Sequence, residues 1–259
     1  GMNKRFGGFH VLKDIGFEVR AGEIIGILGH NGAGKTTLFN LLTGFLRPDD
    51  GEISLKGLNL IGQPAHRIVS MGVARTFQLC RPFVGMSVLD NVVVGSLGPR
   101  VPACDLRDRA LALLAQVGLA DQAHQPAELL SYGDQRRLEI ARALATEPEV
   151  LLLDEPFAGL GAGEIAALSQ VIREVHQRAG LTIMLIEHKL REFMQLVSRV
   201  IAIDFGEIIA TGSPQEIVDH PLVIEAYIGK QDEGHAAPQQ PKAKSPPCSW
   251  RRPERVHRL

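Results

Sequence analysis

The chain has 259 residues, 45% of them hydrophobic, enough to bury a core and to build one large domain or two small ones. Its formal net charge is −1, but residues 231–259 hold six Lys and Arg against three Asp and Glu, leaving 22 against 26 for the rest, so the body offers nucleic acid no basic face. Cys80, Cys104 and Cys248 are odd in number and lack metal-ligand spacing, which suits unpaired thiols in a reducing compartment, and no apolar run approaches the ~20 residues that cross a bilayer.

Gly1 ahead of Met2 reads as the remnant of a cleaved tag, and Met2-Asn3-Lys4-Arg5 enters Phe6-Gly7-Gly8 without an apolar signal core. His10 to Arg20 is rich in Val, Ile and Phe, and Ala21-Gly22-Glu23 turns it into the apolar run Ile24–Leu28, which predicts an antiparallel hairpin leading into a central strand. The stretch Gly29-His30-Asn31-Gly32-Ala33-Gly34-Lys35-Thr36-Thr37 follows, then the helical pattern Leu38–Leu42. This fits G-x-x-x-x-G-K-[ST] in the strand–loop–helix context that gives the motif its meaning. The glycines let successive backbone N–H groups turn inward around a polyphosphate. The helix N-terminus faces the same anion, Lys35 reaches the terminal phosphates, and the Thr36 hydroxyl can ligate magnesium.

Gly51–Gly57 alternates as a half-buried strand, Pro64 opens a short helix ending near Met71-Gly72, and Val73–Gln78 is a short strand ending in an amide. From residue 79 the character changes. Ser87 caps an apolar helix, Gly98–Pro102 breaks it, and Leu106–Val117 repeats apolar residues at helical spacing. With the loop from Ser131 and the helix from Gln135 to Ala145, this predicts a helical insertion over about 79–145. Glu149–Leu153 is a continuous apolar strand ending in Asp154-Glu155, as expected of a strand covered on both faces. A helix over Gly163–Arg178, the strand Leu181–Ile186 ending in Glu187-His188, another helix, and paired strands Arg199–Ile203 and Glu207–Thr211 complete an α/β alternation with a mostly parallel, doubly wound sheet. Ser213-Pro214 and Pro221 start two short helices, the last ending near Gly229, and the Pro-, Gln-, Lys- and Arg-rich residues 231–259 cannot support a core. The expected division is a domain over 1–230 and a disordered tail.

The phosphate loop, Gln78, Asp154-Glu155 and His188 all fall at or just beyond the C-terminal ends of predicted parallel strands, the edge where open α/β sheets bind ligands. Their chemistry suits ATP hydrolysis. Asp154 can hold magnesium, Glu155 can orient or deprotonate water, Gln78 can touch metal and water, and His188 can contact the terminal phosphate. Each alone is also compatible with a helix cap or a structural side chain, so the weight lies in the combination.

On these residues the chain resembles the ATP-binding subunits of ABC transporters, P-loop NTPases with antiparallel β and helical subdomains. Gly29–Thr37 corresponds to Walker A, Gln78 to the Q-loop, Leu130-Ser131-Tyr132-Gly133-Asp134-Gln135 to the signature, Val150–Glu155 to Walker B, Ala158–Gly161 to the D-loop and His188 to the switch histidine. The resemblance spans residues 6 to 230. It implies that two ATPase subunits sandwich two ATP molecules, that Ser131 and Gly133 complete the partner's site, and that Phe6 stacks on adenine. Tyr132-Gly133-Asp134-Gln135-Arg136-Arg137-Leu138-Glu139, Met71–Gln78 and the ending Gly212–Gly229 are similar to the subunits of branched-chain amino acid importers. Those pair two ATPase subunits with two transmembrane permeases at the cytoplasmic face of the membrane and an external solute-binding protein. Relatives carry urea, short amides and other small polar solutes.

Three features depart from that pattern. Gly161 stands where Asp is common, Lys189 follows the switch histidine where Asp is common, and a further strand usually precedes the aromatic, so a truncated start with a bare sheet edge is expected. The resemblance also implies a contact for a membrane-subunit helix at Leu79, Arg81, Pro82 and Phe83, residues that would otherwise pack between subdomains. Two other readings share the catalytic motifs: the ATPase of a lipid or lipopolysaccharide exporter, and a soluble ABC ATPase of DNA repair or the ribosome. Against the latter stand the short, heptad-free interval between Gln78 and Ser131 and the single Walker A.

Overall fold

The computed structural model describes residues 1–79, 81–98, 100–101 and 105–228. The three cysteines and the tail 231–259 lie outside the described residues. The chain opens with an antiparallel pair, β1 (Met2–Phe6) and β2 (Phe9–Ile15), and continues into β3 (Ile24–Leu28) and the helix α1 (Lys35–Leu42). The hairpin therefore lies earlier than the sequence suggests. β2 ends at Ile15 and pairs with β1, whereas β3, buried along its whole length, takes parallel neighbours on both edges. Met2–Phe6 is itself the strand whose place was expected to be bare. The strand predicted over Gly51–Gly57 shrinks to β4 (Ser54–Leu55) against β5 (Leu58–Asn59), because Lys56 and Gly57 both adopt positive φ and turn the chain at once.

After α2 (Ala65–Ser70), β6 (Val73–Arg75) joins the main sheet. The helical segment follows with α3 (Val88–Gly95), capped by the Ser87 side chain, and α4 (Leu106–Gln116). Next comes α5 (Tyr132–Leu144), which starts directly after Ser131 with no intervening loop, because the Ser131 hydroxyl accepts from the Asp134 N–H as its N-cap. The remainder is β7 (Val150–Asp154), α6 (Ala162–Ala179), β8 (Thr182–Ile186), α7 (Leu190–Leu196), β9 (Arg199–Asp204), β10 (Glu207–Gly212), α8 (Pro214–Val218) and α9 (Pro221–Ile228).

The six-stranded sheet has the order β10-β9-β3-β8-β7-β6, parallel throughout except for the edge strand β10. Its strands alternate between two cores. Ile24, Leu28, Leu151, Leu153, Ile183, Leu185 and Val200 pack with the helices α5 to α7, whereas Ile25, Ile27, Leu152, Met184, Ile186 and Ile201 pack on the side of α1 and β2. Covering both faces is what turns β7 and β8 into unbroken apolar runs, and it brings the C-terminal ends of β3, β6, β7 and β8 to one edge.

Candidate active site

The phosphate loop joins β3 to α1. Its Gly34 is the N-cap of α1 at φ 106°, no side chain caps the first turn, and that turn carries no acidic residue. The N-terminal N–H groups thus remain directed at an incoming anion. Only glycine fits at position 34: a Cβ there would lie 2.5 Å from the Leu12 side chain and 3.0 Å from the Val11 carbonyl. Lys35 is buried and folds back over the loop, donating to the Gly29 carbonyl at 2.6 Å and the His30 carbonyl at 3.0 Å. Burial lowers its pKa, and the negative charges of Glu155 and Asp154 oppose that shift, which places both acids in the field of the ammonium.

Three predicted residues meet around one carboxylate. The Gln78 amide nitrogen donates to one Glu155 oxygen at 2.7 Å, and His188 Nε2 lies 2.9 Å from the other. Glu155 adopts φ 48°, a left-handed conformation that costs a non-glycine residue energy and turns its side chain out of the strand direction of β7. Asp154, one residue earlier at the end of β7, points differently and meets the Arg75 guanidinium at 2.6 Å, with both side chains about 95% buried.

The possible metal ligands, the exposed hydroxyl of Thr36, the Asp154 carboxylate and the Gln78 amide oxygen, are all hard oxygen donors, a set that suits Mg²⁺. Asn31, Gly32, Ala33 and Thr37 complete the loop and the first turn of the helix. Phe6 closes β1 at 44% exposure with the Lys4 ammonium 5.4 Å above its ring. Ser131 and Gly133 lie elsewhere, at the start of α5. There the Ser131 hydroxyl donates to Asp134 at 2.8 Å, and a Cβ on Gly133 would come within 2.7 Å of Glu164.

Sequence reading missed three supports. Arg75 neutralises Asp154 and is itself held by Asn40 at 2.7 Å and by the faces of Phe39 and Phe77. Arg136 and Glu139, on the buried side of α5, grip the Gln78 loop. Arg136 donates to the carbonyls of Phe77 at 2.9 Å and Gln78 at 2.5 Å, and Glu139 accepts the Phe77 N–H at 2.6 Å. An Arg and a Glu three apart on a face shared with Ile140 and Ala143 were the available signal. The turn Asp204-Phe205-Gly206 props the phosphate loop. The Gly206 N–H donates to Ala33, its carbonyl accepts from Lys13, His30 lies 2.6 Å from Asp204, and the Phe205 ring packs edge-on against His30.

A doubly wound sheet with a phosphate loop, a buried lysine and a strand-end acid pair at its C-terminal edge defines a P-loop NTPase. Residues 12–158 match the family described as ABC transporter, and residues 207–233 match that described as branched-chain amino acid ATP-binding cassette transporter. The chain is 41% identical over 245 residues to the high-affinity branched-chain amino acid transport ATP-binding protein LivG of Salmonella typhimurium, covering 89% of this chain and 96% of the relative. It is 37% identical over 221 residues to the lipopolysaccharide export system ATP-binding protein LptB of Acidithiobacillus ferridurans, covering 85% and 91%. It superimposes with a TM-score of 0.80 on the ADP conformation of MJ1267, an ATP-binding cassette of an ABC transporter, at 30% identity over 88% of this chain and 96% of that one. The chain belongs to the ABC transporter family, as an ATP-binding subunit. Among the described residues, no helix is long and apolar enough to cross a membrane.

Proposed function

We propose that this chain is the ATP-hydrolysing subunit of an importer for branched-chain amino acids or related small polar solutes. The observation that carries the chemistry is the convergence of Gln78 and His188 on Glu155 beside the phosphate loop. The match of residues 207–233 to the branched-chain amino acid cassette favours import over the lipopolysaccharide export of LptB.

On this reading the loop N–H groups and Lys35 bind the phosphates of ATP, and Phe6 stacks on adenine. Thr36, Asp154 and Gln78 would hold Mg²⁺, which would supply charge neutralisation at the transferring phosphoryl group. Glu155, oriented by Gln78 and His188, accepts a proton from the attacking water, and His188 contacts the terminal phosphate. Ser131 and Gly133 present the N-terminus of α5 to the ATP of a second ABC ATPase subunit. The functional unit is the domain 1–230, working at the cytoplasmic face of the membrane with two transmembrane permeases and, through them, an external solute-binding protein.

The permease contact falls on the groove beside Gln78, a cavity of about 700 Å³ lined among others by Leu79, Arg81, Phe83 and Arg142. Leu79 is 66% exposed, and Phe83, which stacks one face on the Arg142 guanidinium, still leaves 40% of its surface open to the groove. The test is copurification from native membranes together with uptake of radiolabelled leucine. Permeases and a second ATPase subunit should accompany the parent, and R81E should reduce both copurification and uptake. Recovery of lipid-export permeases or ribosomes would overturn the function while leaving the ATPase chemistry in place.

A further inference from the structure

The Arg75–Asp154 pair lies inside the protein, its side chains 4% and 5% exposed. A buried ion pair seldom adds stability over apolar packing of the same volume, so the reason for this one is sought in what it orders. The guanidinium spans two elements. Its Nη2 donates to Asp154 Oδ2 at the end of β7 at 2.6 Å, while its Nη1 donates to Asn40 Oδ1 on α1 at 2.7 Å and reaches the Thr43 hydroxyl at 3.4 Å. The rings of Phe39 and Phe77 lie 5.6 and 5.1 Å from its central carbon and hold it in place. The remaining donor, Nε, is buried without a hydrogen-bond partner among the described residues. The side chain is thus placed for the two acceptors at its tip and not for the satisfaction of all its own donors.

Asn40 follows Thr36 by four positions, one turn further along the same face of α1. Two of the oxygen donors assigned to the metal are therefore referred to one helix. Thr36 sits on it, and Asp154 is reached from it through Asn40 and Arg75. Thr36, Arg75 and Asp154 also line one cavity with Gln78.

We propose that Asn40 and Arg75 are positioning residues for the metal site, a relay from α1 that fixes the Asp154 carboxylate relative to Thr36. The relay rests on the roles proposed above for Thr36 and Asp154. With Oδ2 taken by the guanidinium, the carboxylate offers a cation its other oxygen, and the spacing of the two ligands is set before a metal arrives. A lysine at position 75 would keep the charge but could not serve both ends of the relay, since an ammonium lacks the planar fork.

The test uses the purified full chain and the variants N40A, R75K and D154N. It is read by the electron paramagnetic resonance of Mn²⁺ titrated into the protein–ADP complex and by equilibrium binding of a fluorescent ADP analogue in EDTA. N40A and R75K should each weaken Mn²⁺ binding by about tenfold, with the affinity for the analogue in EDTA within about twofold of the parent. N40A keeps both charges of the ion pair, so it carries the test if R75K fails to fold. Parent-like Mn²⁺ binding in N40A, or an equal loss of affinity in EDTA, would overturn the relay. D154N serves as the control. If it binds Mn²⁺ like the parent, the assigned metal ligand fails on its own account, whereas a weakened D154N beside an unaffected N40A removes the relay alone.

Discussion

The phosphate loop and the start of α5 are built differently. At the phosphate loop Lys35 is tied to the loop carbonyls, and across the sheet edge Asp154 is tied to Arg75 and Glu155 to Gln78 and His188. At the start of α5, the Ser131 hydroxyl pairs, among the described residues, with Asp134 of its own first turn, and Gly133 rests against Glu164. Contacts that join the ends of β6, β7 and β8 beside the phosphate loop are preorganised by the fold. A helix N-terminus closed on its own cap offers donors but no companion groups. The difference teaches that, on the proposed reading, the groups that hold the phosphates are organised within one chain, whereas the α5 end contributes to a site it does not contain.

The largest effect should come from the first end. E155Q removes the proton acceptor while keeping its shape, so hydrolysis should fall about a thousandfold with ATP affinity retained. Equilibrium binding of a fluorescent ATP analogue beside steady-state turnover checks this, and a proportional loss of binding would break the comparison. R75L leaves Asp154 charged and buried without its partner, at a cost of roughly 3–5 kcal/mol in urea unfolding. Restoration of most of that loss by R75L/D154N would sharpen the view that the pair works as a unit.

A pH effect comes next in size. Glu187 titrates near 7 in the fold against 4.5 as its ordinary value, so the stability it contributes is present below the ordinary carboxylate range and is lost as pH rises through 7. E187Q should therefore exceed the parent by roughly 3 kcal/mol above pH 8, with the gap narrowing toward pH 5. The groups facing Glu187 are Glu155 and Lys189, with the adjacent His188, and thermal unfolding across that range reads the gap directly. The smallest effect belongs to the second end. S131A loses an N-cap worth about 1 kcal/mol and should leave single-chain ATP affinity unchanged within about twofold. A large loss of affinity would mean that Ser131 serves its own chain's nucleotide.

Much of this was legible beforehand, for reasons visible in particular residues. Val150–Asp154 and Thr182–Ile186 read as buried parallel strands because both faces are covered, and the phosphate loop declared itself through the spacing of Gly29, Gly34, Lys35 and Thr36, with Gly34 at a φ of 106° that side chains rarely adopt. Gln78, Glu155 and His188 could be placed together because each lies at or just past the end of a parallel strand. The register of the β1–β2 pair was hidden, since Met2–Phe6 carries Asn, Lys and Arg and does not look like a strand until β2 lies beside it. The truncation of the Gly51–Gly57 strand was decided by the positive φ of Lys56, a residue type with no preference for it. Arg75, Arg136 and Glu139 escaped notice because burying a charge is sensible only with its partner in view, and those partners are up to 79 positions away in the chain.

Lys35 has one more consequence. By bonding the Gly29 and His30 carbonyls it acts as an internal guest of its own loop, and on the proposed reading the arriving phosphates compete with two backbone oxygens for the same ammonium. Nucleotide entry is then an exchange of ligands on a standing frame, so little of the binding free energy goes into ordering the chain. Nucleotide release is correspondingly assisted, because the departing anion leaves behind a cation whose replacement partners are already within reach.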